Sequence, residues 1–198
     1  MRSTHIDNSL GEGVYFPLQS YPGFIRRSLA MLIDGTIVMF LGTGIWALLS
    51  LLFYAMEFTR SPEVFFFVIW LATTWAYMTL LKRSWLRTIG YRLAGLQIVD
   101  ANGSRPSLTR MTLRLLMWVF GPFNFFFDMV WLGADSERQT LRDCYCGTYV
   151  VRTAAQPEGI APLHLTRYFA AGLAPSYPRV VRPASVAERP APMPPIAE

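Results

Sequence analysis

Gly23-Phe-Ile-Arg-Arg-Ser-Leu-Ala-Met-Leu-Ile-Asp34 decides how the rest of the chain is read. Two adjacent arginines precede an aspartate, and from Gly35 to Met56 no charged residue follows. A bilayer-spanning helix needs about 20 apolar residues, so this run is long enough to cross. An aspartate at the mouth of such a helix is costly and needs a partner, a water pocket or a function. Arg27 and Asp34 are seven residues apart, which puts them on one helix face about two turns, roughly 10 Å, apart along the axis. With the arginine at the headgroups, the aspartate lies just below the membrane surface. Ser28, Gly35 and Gly42 repeat at the same interval. They read either as a stripe where another helix approaches or as glycines merely tolerated in a membrane helix.

Working outward, the first span is expected over about 25–56, after a turn at Tyr21-Pro22-Gly23. A short polar stretch, 57–63, leads to a second apolar span over 64–81. Its aromatics Trp70, Trp75 and Tyr77, with Trp85 just beyond, read as packing residues and interfacial anchors. Residues 82–114 then carry Lys82, Arg83, Arg87, Arg92, Arg105, Arg110 and Arg114, whereas the 57–63 turn has a single arginine. Basic residues stay on the cytoplasmic side, so 82–114 and the N-terminus are expected inside the cell membrane. Leu96-Gln-Ile-Val-Asp100 alternates weakly and Asn102-Gly103 is a hairpin-turn signal, so a short cytoplasmic hairpin-like segment is expected there.

Composition supports a membrane class. Of 198 residues, 53% are hydrophobic and 16% charged, less charge than the roughly 25% of soluble domains. The net charge of +5 comes from arginines flanking apolar blocks. That pattern suits orientation and anionic lipid rather than nucleic acid, for which no basic-aromatic groove motif occurs. Cys144 and Cys146, one residue apart, are poorly placed to bridge and complete no zinc set. They read as reduced structural thiols.

The third apolar region divides the evidence of length and charge. Only 13 residues separate Arg114 from Asp128, and Gly121-Pro122 interrupts them. Proline breaks a helix, and arginines flank both ends, so both ends favour the cytoplasm. A kinked or re-entrant pair of half-helices, 108–120 and 123–134, is expected in preference to a straight third span. The fold class is therefore an all-α integral membrane protein with two transmembrane helices plus this broken region. Residues 1–21 are expected to be a flexible cytoplasmic arm. Thr148–Val151 reads as a short strand. Residues 153–198, rich in proline and alanine, are expected to be a disordered tail.

Three blocks resemble a known family in the expected order. The 24–34 stretch resembles the opening of the RDD family of small membrane proteins, a name that records one arginine and two aspartates. Arg87-Thr-Ile-Gly-Tyr-Arg-Leu-Ala-Gly-Leu-Gln-Ile-Val-Asp100 is similar to that family's threonine-(proline)-glycine-lysine segment. Leu141-Arg-Asp-Cys-Tyr-Cys-Gly-Thr-Tyr-Val-Val-Arg152 is similar to its closing block. The resemblance covers about 22–152 and implies Arg26 or Arg27 as the arginine, with Asp34 and Asp143 as the aspartates. Ile89 stands where proline is usual, and Tyr91 where lysine is usual. Some members of that family are linked to sodium–proton antiport.

The candidate site is a charged cluster at the cytoplasmic face: Arg26, Arg27, Asp34, Asp128 and Asp143, with Asn124 as a neutral partner. A desolvated carboxylate beside an arginine can balance binding and release of a cation or proton. The same residues can equally form a structural salt bridge locking the first helix to the terminal segment. No hydrolase, kinase or metalloenzyme set is present, His5 and His164 lack ligand-spaced companions, and no cofactor or metal is expected. Two functions follow. One is a small cation or proton transporter, homo-oligomeric because two spans make a meagre pathway. The other is a non-transporting membrane accessory or assembly partner that acts through its basic cytoplasmic face and tail.

Overall fold

A computed structural model describes residues 9–59, 61–119, 128, 132, 137–167 and 176–183. Two helices dominate it. Helix α1 spans Phe24–Ala55 without interruption, and α2 spans Glu63–Trp75, continuing as a π-helical stretch over Ala76–Leu81. At 1.5 Å per residue α1 is about 48 Å long. Their apolar side chains point outward: Phe40 and Met39 on α1 and Val64 on α2 are each more than 70% exposed. The buried residues of α1 are confined to Ala30, Asp34, Val38 and Gly42, one stripe at four-residue spacing. Trp70 of α2 lies on this stripe. Its indole N–H donates to the Val38 carbonyl at 3.4 Å, and a Cβ at Gly42 would come within 2.7 Å of it. At Gly35 such a Cβ would meet nothing within 4 Å, so close approach to α2 involves Gly42 and not the whole small-residue stripe.

Below the long helices the chain is not all-α. Helix α3, Ile89–Leu93, leads into strand β2, Leu96–Asp100. Helix α4, Leu108–Val119, and the short helix α5, Leu141–Cys146, are followed by strand β3, Thr148–Arg152. Strands β2 and β3 pair antiparallel, with Leu96 opposite Arg152 and Asp100 opposite Thr148. The expected local hairpin is corrected here. Asn102-Gly103 does turn the chain, with Asp100 accepting from the Asn102 and Ser104 amides at 3.0 and 2.9 Å. The partner strand, however, comes from about 50 residues later.

The described parts of the arm, 9–21, and of the tail, 153–167 and 176–183, need a further correction; the rest of both segments lies outside the described residues. Residues 12–15 form an edge strand, β1 (Glu12–Tyr15), which pairs with β4 (Gly159–Arg167), itself paired with β5 (Ser176–Val180). A composition rich in proline and alanine hid alternation in Ile160-Ala161-Pro162-Leu163, where Ala161 is buried and Ile160 exposed. Apolar period-2 residues can bury one face of a strand whatever the segment's average.

The two-stranded sheet is a middle layer buried on both faces, which explains its weak alternation in sequence. Leu96, Ile98 and Val150 pack toward Ala30 of α1, Tyr91 and Met111. Val99, Tyr149 and Val151 pack the other way, against Phe16, Tyr21, Ala161 and Val180. Cys144 and Cys146 are buried thiols, with Cys144 packed on Tyr177 and Leu141. Of the second expected half-helix, only Asp128 and Leu132 fall among the described residues; both are helical and buried.

Candidate functional site: two buried carboxylates and a basic cavity

The charged residues separate into two centres on different turns of α1. Asp34 is fully buried. Its Oδ1 accepts from the Tyr77 hydroxyl at 3.0 Å and from the Gly90 amide at 2.8 Å. Its Oδ2 accepts from the Thr88 hydroxyl at 2.7 Å and lies 3.5 Å from Lys82 Nζ. Four donors thus converge on one carboxylate, Tyr77 and Lys82 from the π-helical end of α2 and Thr88 and Gly90 from the start of α3. The fit depends on Gly90, where an added Cβ would lie 2.2 Å from the Ala30 carbonyl oxygen.

The same contacts finish α3. A helix leaves its first amides without internal acceptors. Thr88, in the N-cap position, makes no side-chain cap bond, because its hydroxyl is turned to Asp34. Asp34 takes the Gly90 amide instead, and the Tyr77 hydroxyl accepts the Ile89 amide at 3.2 Å. Proline is favoured at the first helical position because it has no amide to satisfy; with isoleucine there, Tyr77 supplies the acceptor. Lys82 extends over the Tyr91 ring, 4.3 Å from its centroid. A cation therefore lies beside the position where a lysine would be usual, supplied from the end of α2.

Asp143, also fully buried, is the second centre. Arg27 Nη1 approaches its Oδ2 at 3.0 Å and Arg114 Nη2 its Oδ1 at 2.6 Å. Asp143 also completes a reciprocal cap of α5. Its Oδ2 accepts the Thr140 amide at 3.2 Å and its own amide donates to Thr140 Oγ1 at 3.3 Å. Thr148 donates to Oδ1 at 3.2 Å, and Gly147, at φ +60°, ends the helix in the left-handed region glycine favours. Burial alone would raise the Asp143 carboxyl; Arg114, Arg27 and Arg142 outweigh it and hold it at about 2.

Of the residues expected in one cluster, the structure joins Arg27 to Asp143 and places Asp34 in a separate centre. Arg26 is exposed on α1 and forms no ion pair among the described residues. Asp128 is buried and pairs with Arg142 Nε at 3.1 Å; Asn124 lies outside the described residues. Sequence reasoning missed Tyr77, Lys82, Thr88, Gly90, Arg114, Arg142 and Thr148. The signal available for Thr88 and Gly90 was their place in the second of the three family-like blocks.

Between α1, the end of α2, α4 and α5 lies a cavity of about 100 Å³. Among the described residues Arg27, Lys82, Arg114 and Arg142 line it with one carboxylate, Asp128, and Met31, Met78 and Met111 form part of its apolar wall. Among the described residues no group of three His, Cys, Asp or Glu side chains could hold a metal ion.

These features define a class: a small protein with two helices long and apolar enough to cross a membrane, their base clamped by buried carboxylates to a layered β-structured unit. The chain belongs to the RDD family, which it matches over residues 21–147, well over half its length. Both carboxylates, Asp34 and Asp143, fall inside that match, whereas β3, β4 and β5 lie beyond it. No curated protein and no solved structure matches the chain.

Proposed function

We propose that this is a multi-pass protein of the cell membrane that acts as a non-transporting accessory or assembly partner, presenting its basic base and β-structured unit to the cytoplasm. Supporting the membrane placement are the exposed apolar surfaces of α1 and α2 and the seven basic residues that follow α2. A hydrocarbon core of about 30 Å takes roughly 20 residues of α1. If Ala55 lies at the far boundary, the near boundary falls close to Asp34, with Arg26 and Arg27 among the headgroups.

One observation carries the choice against cation movement: the acceptor positions of both buried carboxylates are occupied by protein donors, four at Asp34 and four at Asp143. A carboxylate that binds and releases a cation needs open acceptor sites or a neighbour that yields. Such saturated, desolvated pairs suit a clasp, since breaking one strands a buried charge. The test is ion flux in proteoliposomes holding the full chain, with sodium, potassium and proton gradients. No flux above protein-free vesicles is expected. Flux that disappears in Asp34→Asn, in protein still inserted and folded, would overturn the reading in favour of transport.

A further inference from the structure

We propose that the cavity at the base of the helices is a binding site for a phosphate-type oxyanion. Three observations converge on it. The first is the charge facing the space: Arg27, Lys82, Arg114 and Arg142 against Asp128. The carboxylates behind the wall do not cancel this. Among the described residues Asp34 pairs with Lys82 and Asp128 with Arg142, while Asp143 serves both Arg27 and Arg114, so there four cations share three carboxylates. One positive charge is left over in a desolvated setting, where an anion is the natural complement.

The second is unspent donor capacity. Arg27 Nε and Arg114 Nε are buried and have no hydrogen-bond acceptor among the described residues, and the Arg114 side chain is only 8% exposed. Buried N–H groups in folded proteins nearly always find an acceptor, and guanidinium groups match oxyanions in geometry better than they match a halide. The third is size and wall chemistry. About 100 Å³ holds several water-sized groups, more than a lone halide requires. Its apolar flank, with Met31, Met78 and Trp118, suits the organic part of a phosphate ester.

That chemistry has two sources, free phosphate and the headgroup of an anionic phospholipid, and the site's depth on α1 is compatible with either. The lipid source rests on the membrane placement proposed above; the free-phosphate source does not. The full chain in neutral detergent is titrated with inorganic phosphate while thermal unfolding is followed, with sodium chloride at matched ionic strength as the control. In parallel it is placed in nanodiscs of phosphatidylcholine with and without phosphatidylglycerol.

Saturable stabilisation by phosphate beyond that of chloride, or by phosphatidylglycerol over phosphatidylcholine, is expected, and which arm responds names the source. Arg142→Gln and Ser28→Phe are each expected to weaken the effect at least tenfold, the first by removing a cation and the second by filling the space without touching a charge. Ser28→Phe alone decides the matter if Arg142→Gln fails to fold. Equal shifts from chloride and phosphate with no lipid preference, or undiminished binding in Ser28→Phe, would overturn the proposal.

Discussion

Replacing Asp34 with asparagine keeps the shape of the side chain and removes its charge, which separates a clasp from a site that merely tolerates an acid. Oδ1 accepts from Tyr77 and Gly90, while Oδ2 accepts from Thr88 and faces Lys82. An amide offers one oxygen and one NH2, so in either orientation one obligate donor, the Lys82 ammonium or the Gly90 amide, meets another donor, while the hydroxyl beside it can turn to accept. Removing one member of a buried ion pair costs about 3–5 kcal/mol, and a stranded buried donor about 1–3 kcal/mol. The Lys82 side chain is 15% exposed and can swing partly toward water, which places the expected loss near the lower end, about 3 kcal/mol. Unfolding of wild type, Asp34→Asn, Lys82→Met and the double variant in bicelles measures this as a thermodynamic cycle. The double variant should lose less than the sum of the singles, with a coupling of about 1–2 kcal/mol. A loss under about 0.5 kcal/mol for Asp34→Asn, or strict additivity, would refute the clasp.

Three further outcomes follow from the same geometry. Gly90→Ala puts a methyl group 2.2 Å from the Ala30 carbonyl oxygen, so α3 must leave α1 at a cost of about 3 kcal/mol, read as a lowered melting temperature. Arg27→Gln is expected to cost about 3–5 kcal/mol by stranding part of the Asp143 charge, whereas Arg26→Gln, on the exposed side, stays within about 0.5 kcal/mol; equal effects would contradict the assignment. For Asp143 the sign follows from a folded pKa of about 2, below the ordinary aspartate value of about 3.9. Its contribution of about 2 kcal/mol is present above about pH 4 and lost as pH falls through 2. Asp143→Asn should flatten that limb of a stability-versus-pH curve, and an unchanged limb would place the acid sensitivity elsewhere.

Some of the molecule could be read before any fold was in hand. The 24–34 stretch and the uncharged run after it specify a long apolar helix because a span is a local property, set by consecutive side chains and a fixed rise per residue. The Thr148–Val151 strand and the start of the first half-helix at 108 were legible for the same reason. The strands within the arm and tail were not legible, because Gly11, Gly13 and Pro17 break the periodicity of the one and proline and alanine dominate the composition of the other. Ala161 and Tyr177 bury their side chains although a proline follows each, Pro162 in β4 and Pro178 in β5.

The candidate site was less legible because partner choice is not local. The sequence shows that Arg26, Arg27, Asp34, Asp128 and Asp143 each need an explanation, since a charge near an apolar helix is costly. It cannot say that Arg26 faces outward while Arg27 reaches across 116 residues to Asp143. Nor can it say that Asp34 turns instead to Lys82, Tyr77, Thr88 and Gly90.

By itself, then, the sequence determined the two long apolar helices, the family and the list of charges that require partners. The tertiary structure decided the pairings, the layering of β2 and β3 between the helices and the outer sheet, and the basic cavity. Those depend on which turn of α1 meets which distant segment, and a helix face carries no record of its neighbour until the chain has folded against it.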